Sequence, residues 1–315
     1  MKELKLIFFG TPKFALDSLD RIYSNYNVNC VVTSPDKKSG RGQKINQSEV
    51  KLYAEKNKIK TLQPIDLKDQ DFIKKIQEIN PDLIVVVAFK KLPAEIFSIP
   101  KFGTINLHAS LLPNYRGAAP INWCLINGEV KTGVTTFFIN EKIDHGDILL
   151  KEEVYINDND DFGSLYIKLS SIGSKLLVKT IDGIVKNNLK PSKQTINDNL
   201  KLAPKLSNEN IRIDWSKSSK EVIWKIRGLS PKPGAWTILK NGEDEIRMKI
   251  LNAEEIFISS DKRTSGQIYV DNGKILIICR KGIINCIRLQ LENKREMSAI
   301  DLINGFKFHE NSLVY

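Results

Sequence analysis

The stretch Ile105-Asn-Leu-His-Ala-Ser-Leu-Leu-Pro-Asn-Tyr-Arg-Gly-Ala-Ala-Pro-Ile-Asn-Trp123 sets an asparagine two positions before the first histidine of the chain, ahead of a run rich in structure breakers. Side chains alternate along a strand, so Asn106 and His108 project to one side while Leu107 goes to the other. An amide and an imidazole aimed together can donate hydrogen bonds to an oxygen on which charge develops, or move a proton. A carboxylate is the natural third group, because it orients a ring and stabilises its charged form. Asn140-Glu-Lys-Ile-Asp-His-Gly-Asp147 offers Asp144, with Gly146 allowing a tight turn, while Glu141, His145 and Asp147 compete for the same role. Spacing alone leaves that choice open, and an ordinary acidic turn remains a reading of the segment.

These residues need a frame. The first half alternates short apolar runs with amphipathic stretches, the pattern of parallel strands joined by helices. Strands are expected at Leu4 to Phe9, Val28 to Thr33, Asp82 to Ala88, Gly103 to Leu107, Gly133 to Ile139 and Asp147 to Ile156. Helices are expected at Phe14 to Tyr23, near 47 to 57 and 68 to 79, and at Phe162 to Val185. Asn106 and His108 then stand at the end of a strand in an α/β sheet, where such folds bind ligands. Residues 187–207 lack periodicity and carry two prolines, as a linker would. Beyond them a helix from Lys217 to Gly228 precedes short strands with turns at Asn241-Gly242 and Asp271-Asn272-Gly273, which suggests a small β-barrel. The expected division is 1–189, a linker at 190–207, and 208–315.

Length and composition agree with two globular domains: 315 residues, 41% hydrophobic and 27% charged. The apolar start is too short for a signal peptide or a membrane span, so a cytoplasmic protein is expected. Cys30, Cys124, Cys279 and Cys286 show no CxxC spacing, so neither a metal site nor a disulfide framework is expected. The net charge of +11 suits a polyanionic partner, though an abundance of lysine alone would also produce it. Residues 201–315 hold 20 Lys and Arg against 14 Asp and Glu, so just over half the net charge falls there. A second basic feature is the loop Ser34-Pro-Asp-Lys-Lys-Ser-Gly-Arg-Gly-Gln-Lys-Ile45, whose glycines flank Arg41 and let backbone approach a ligand closely. Phe9-Gly-Thr-Pro-Lys-Phe14 has one glycine and not the GxGxxG of a dinucleotide site.

Phe9-Gly-Thr-Pro12, Asn106-Leu-His-Ala-Ser-Leu-Leu-Pro113, Tyr115-Arg-Gly-Ala-Ala-Pro120 and Asp144-His-Gly-Asp147, in this order, resemble the formyltetrahydrofolate-dependent formyltransferases. Within that superfamily the similarity is greatest to the members acting on methionyl-tRNA. It continues through Ala203-Pro-Lys-Leu206, Ile213-Asp-Trp215 and Ile226-Arg-Gly-Leu-Ser-Pro-Lys-Pro-Gly-Ala235, covering most of the chain. The resemblance implies an α/β fold, a Rossmann-like formyltransferase domain followed by an OB-like β-barrel that binds tRNA. It implies Asn106, His108 and Asp144 as the catalytic set and 10-formyltetrahydrofolate as co-substrate. The donor would be held by Ser110, Leu111, Leu112 and Pro113 with Val87, Ala88 and Phe89.

The same resemblance assigns the basic loop, with Arg41 foremost and Lys37, Lys38 and Lys44 beside it, to the acceptor end of initiator methionyl-tRNA. Phe14 becomes a contact for the methionyl side chain, or a hydrophobic staple on the first helix. A monomer is the default. The sequence departs from the family pattern at Lys90, Lys142 and His145, and in Gln290-Leu-Glu-Asn-Lys294, which lacks a glycine. Three other readings stand beside this one: a relative acting on a sugar-nucleotide amine, a hydrolase releasing formate, and an RNA-binding protein without catalysis.

Overall fold

A computed structural model describes residues 4–39, 44–195, 199–256 and 264–315. Two compact units make it up, one comprising Met1–Pro120, Lys131–Tyr155 and Tyr166–Leu202, the other Ile121–Val130, Ile156–Leu165 and Ala203–Tyr315. The units thus interleave along the chain instead of meeting at a single linker.

The first half runs β1 (Leu6–Gly10), α1 (Lys13–Tyr23), β2 (Val28–Val32), a hairpin of β3 (Lys37–Ser39) and β4 (Lys44–Asn46), α2 (Glu49–Lys56), β5 (Thr61–Leu62), α3 (Gln70–Ile79) and β6 (Leu83–Val87). It continues with α4 (Ala94–Phe97), β7 (Thr104–His108), β8 (Arg116–Gly117), α5 (Pro120–Ile126), β9 (Lys131–Phe138), β10 (Ile148–Tyr155) and α6 (Phe162–Val185). One seven-stranded sheet has the order β10-β9-β7-β6-β1-β2-β5. The five strands from β5 to β7 are mutually parallel, and β9 and β10 extend the sheet antiparallel. Chain order reverses direction between β1 and β6, so a crevice opens at their carboxyl ends, the usual ligand position in such sheets.

β1 and β6 are buried along their whole length, which is why both read as unbroken apolar runs. A Cβ on Gly173 of α6 would meet Leu107 Cδ2 at 2.8 Å. That contact puts α6 directly on the Leu107 face of β7 and leaves Asn106 and His108 to the other face. Where the sequence reading expected helices and strands in this half, the structure has them within a few residues. It adds α4, α5 and the β3–β4 hairpin, each too short to show a period in sequence.

From β11 (Leu202–Ala203) the chain continues through α7 (Ser219–Leu229), β12 (Ala235–Asn241), β13 (Asp244–Ile256), β14 (Ile268–Asp271), β15 (Lys274–Ile278), β16 (Ile283–Leu291), β17 (Met297–Ser298), α8 (Ala299–Gly305) and β18 (Leu313–Val314). The antiparallel sheet has the order β14-β15-β16-β13-β12-β18, and a bridge from Gln267 to Leu313 joins its two ends into a barrel. Closure removes the exposed edges of a small sheet. Trp215, Leu229, Leu239, Met248, Ile250, Ile277 and Leu289 fill the interior. Trp215 keeps its indole N–H satisfied on Thr237 Oγ1 at 2.9 Å. α7 starts at a capping box in which Ser218 and Glu221 bond each other's backbone N–H.

Candidate active site

β7 pairs with β6 on one side and β9 on the other, which places Asn106 beside Val86 and Phe137, and His108 beside Thr135. The carboxyl ends of β6 and β7 therefore stand together. Asn106 Oδ1 is buried and has no hydrogen-bond partner. A buried amide oxygen left unpaired is costly unless a ligand group fills the gap. His108 is 6% exposed; its Nε2–H donates to the Tyr115 carbonyl at 2.8 Å. That bond leaves Nδ1 as the nitrogen free to accept, and Nδ1 faces Asp144 Oδ2 at 3.8 Å.

Of the candidates that spacing left open, Asp144 is the one brought to His108. Asp144 turns its carboxylate to the imidazole, whereas Glu141 is exposed and His145 spends Nδ1 on the Ile143 carbonyl. Asp144 sits in the left-handed region at φ 56°, a conformation that costs a non-glycine residue about 1–3 kcal/mol and must be held by its surroundings. Several contacts hold it. The Gly117 N–H donates to Oδ2 at 2.9 Å, and Gln194 Nε2 donates to the carbonyls of Asp144 at 2.9 Å and Gly146 at 2.8 Å. Gly146 lies so close to the end of β9 that a Cβ there would stand 1.5 Å from the Phe138 carbonyl oxygen.

Arg116 is buried beside this turn and gives Nε and Nη2 to Gln194 Oε1 at 3.1 and 2.6 Å. Burial pushes its guanidinium below the usual arginine range, and the Asp144 charge pulls it back up. Arg116 and Gln194 were not singled out from sequence. Arg116 stood in a quoted motif, but Gln194 lies in an aperiodic stretch with no local signal.

The segment Ser110–Pro113 is tied to Asn114 and to Thr135 of β9. Ser110 Oγ donates to the Asn114 carbonyl at 2.6 Å, Thr135 Oγ1 donates to the Ser110 carbonyl at 2.6 Å, and the Leu112 N–H donates to Thr135 Oγ1 at 3.2 Å. Lys151 Nζ reaches the Leu112 carbonyl, and burial lowers its ammonium from the ordinary lysine value. Leu112–Pro113 is cis. At the end of β6, Val87 is buried, Ala88 is exposed at φ 48°, and Phe89 packs edge-on to Phe9 at 5.5 Å. Immediately beyond lies a cavity of about 700 Å³, lined among others by Leu67, Lys90, Lys91, Leu92, Glu141 and Lys142. The departures at Lys90 and Lys142 both line it.

Of the remaining expected site residues, those described stand on α1 and on the β3–β4 hairpin. Phe14 is 5% exposed and stacks edge-on to Tyr166, in the packing beneath α1. Lys37 is exposed, Lys38 and Lys44 stand on the hairpin strands, and Arg41 lies outside the described residues. The hairpin base is fixed by Asp36, which accepts from Lys51 at 2.6 Å, Gln63 at 2.8 Å and Gln47 at 3.4 Å. Hydrogen bonds from Lys51 and Gln63 hold the Asp36 carboxyl below the usual carboxylate range. Among the described residues, no three His, Cys, Asp or Glu side chains are grouped to hold a metal ion, and no helix is long and apolar enough to cross a membrane.

Residues 4–181 match the formyl transferase family and 205–307 its C-terminal domain. Methionyl-tRNA formyltransferase of Flavobacterium johnsoniae is 44% identical over 316 residues, covering all of both chains. The enzyme of the same name from Clostridium acetobutylicum is 44% identical over 96% of each chain. Among solved structures, an N-formyltransferase of Helicobacter canadensis, in complex with folinic acid and dTDP-3-aminofucose, aligns at TM-score 0.67 and 23% identity over 90% of this chain and 98% of that one. HypX of Aquifex aeolicus in complex with tetrahydrofolic acid aligns at TM-score 0.60 and 17% identity, over 96% of this chain and 47% of its own length. The two structures share the fold; the full-length identity of the curated relatives goes further. With both domain models matched in order, this chain belongs to the family of the methionyl-tRNA formyltransferases.

Proposed function

We propose that the protein transfers the formyl group of 10-formyltetrahydrofolate to the α-amino group of initiator methionyl-tRNA, in the cytoplasm and as a monomer. The observation that carries the chemistry is the grouping at the end of β7: a buried, unpaired Asn106 Oδ1 beside a His108 whose second ring nitrogen faces Asp144. Asn106 lies where it can bond the reacting formyl group, and turning its amide presents N–H donors to the oxygen on which charge builds. His108, with Nε2–H anchored on Tyr115, offers Nδ1 to take the proton lost by the attacking amine. Asp144 stabilises the positive charge that then appears on the ring. This assignment gives the oxygen to Asn106 and the proton to His108, whereas the residue types alone let both act as donors.

Val87, Ala88 and Phe89 with the Ser110–Pro113 turn form the donor site in this reading. The bonds to Asn114 and Thr135 keep the shape of that turn, and its apolar side chains suit a flat pterin. Lys37, Lys38, Arg41 and Lys44 take the phosphates of the acceptor end, and the basic C-terminal unit takes the tRNA backbone.

The test is transfer of labelled formyl from 10-formyltetrahydrofolate into acid-precipitable methionyl-tRNA, with His108→Ala alongside. Wild-type transfer that vanishes in the variant supports the reading. Consumption of the donor with an amino-sugar nucleotide or water, and none with tRNA, would keep the centre and overturn the acceptor.

A further inference from the structure

We infer that Gln194 is a positioning residue for the catalytic carboxylate. The inference rests on the reading of Asp144 given above. The described chain is tied down both before and after Gln194. Ser192 and Ile148 exchange backbone hydrogen bonds at 2.8 and 2.9 Å, while Lys201 donates to Asn114 Oδ1 at 3.1 Å and accepts from the Tyr115 N–H at 2.6 Å. Tyr115 in turn is the residue whose carbonyl anchors His108.

Between these ties, Gln194 is less exposed than its neighbours at 191–193 and 195 and spends its whole amide. Its oxygen accepts twice from Arg116, and its two N–H groups go to the carbonyls of Asp144 and Gly146. Only a carboxamide serves both sides. A carboxylate would still accept from Arg116 but would set an acceptor against two carbonyls, and an apolar side chain would leave a buried guanidinium without this partner. Gln194 therefore fixes the left-handed turn that points Asp144 at His108. It touches neither reactant.

Three full-length variants test this: Gln194→Met, which keeps volume, Gln194→Glu, which keeps only the acceptor, and the double variant of Gln194→Met with Asp144→Asn. Formyl transfer should show kcat reduced roughly ten- to hundredfold in both single variants with KM for the donor within about twofold, the size of effect that a small misplacement of a reacting group produces. In the Asp144→Asn background Gln194→Met should add little further loss, since the two act through one interaction. A kcat within twofold of wild type in Gln194→Met, a full rescue by Gln194→Glu, or additive losses would each overturn the proposal. The Gly117 amide proton, bonded to Asp144 Oδ2, gives a readout without substrate: its NMR shift should move in Gln194→Met, and an unchanged shift overturns the proposal. That signal stays informative if the wild type transfers nothing, an outcome that would sink the functional reading instead.

Discussion

Two aspartates of the first unit, Asp144 and Asp36, have the same chemistry and opposite situations. Asp36 is partly exposed and fully engaged: a lysine and two glutamines converge on it, and Lys51 is further shared with Glu55 at 3.6 Å. Its charge is spent on holding the base of a hairpin. Asp144 has a side chain only 9% exposed, sits in a backbone conformation that its neighbours must enforce, and faces an imidazole nitrogen across 3.8 Å without closing a hydrogen bond. Its charge is held in place and left uncommitted. Backbone and amide contacts fix Asp144, whereas the Lys51 ammonium closes directly on Asp36.

The sharpest way to break this contrast is to neutralise both acids. Asp144→Asn and His108→Ala should each reduce kcat by about 10²–10⁴, the range for losing a positioned proton-transfer partner. Asp36→Asn should leave kcat within about threefold, since a partly exposed ion pair contributes little. Comparable losses in steady-state formyl transfer for the two aspartate variants would erase the distinction. Asn106→Ala should lower kcat by about 10²–10³ with KM little changed, as expected for an oxygen-stabilising donor.

Gly146→Ala sharpens the same comparison from the side of stability. Its Cβ would overlap the Phe138 carbonyl, so thermal unfolding should show a loss of about 2–3 kcal/mol together with lost activity. Gly273, in a hairpin turn with nothing near its Cβ position, serves as the contrast: Gly273→Asn should shift Tm by only a degree or two.

Smaller effects belong to the hairpin. Arg41→Ala should weaken tRNA binding about equally across sequences and reduce the slope of log affinity against log salt by about 1, leaving donor KM unchanged. Acid should test its base. Because the folded-state Asp36 carboxyl lies below the ordinary carboxylate range, the Asp36–Lys51 pair contributes above that range and is lost as pH falls through the lowered folded value. Amide exchange at β3 and β4 should therefore be insensitive to this pair between pH 7 and 5 and should quicken only in stronger acid. Quickening already near pH 6 would show that something else holds the hairpin.

Much of the frame was legible because burial leaves periodic traces. The unbroken apolar runs of β1 and β6 announce strands covered on both faces, and the alternation Asn106, Leu107, His108 already separates a polar side from the side that α6 covers. The signals Asn241-Gly242 and Asp271-Asn272-Gly273 mark hairpins because Gly242, Asn272 and Gly273 take positive φ angles that favour those residue types. The short α4 and α5 left no such trace.

What tertiary structure alone decided is the partnership. Asp144 prevails over Glu141, His145 and Asp147 because the turn at Gly146 presses against Phe138 and because Gly117 and Gln194, 27 and 50 residues away, bond it. His108 turns Nδ1 towards Asp144 because Tyr115 takes Nε2. Periodicity records which face of an element is dry, and it did so here for the long strands and helices of the first half. Polar contacts between distant turns depend on where the backbone returns, carry no period, and become visible only when the chain is folded.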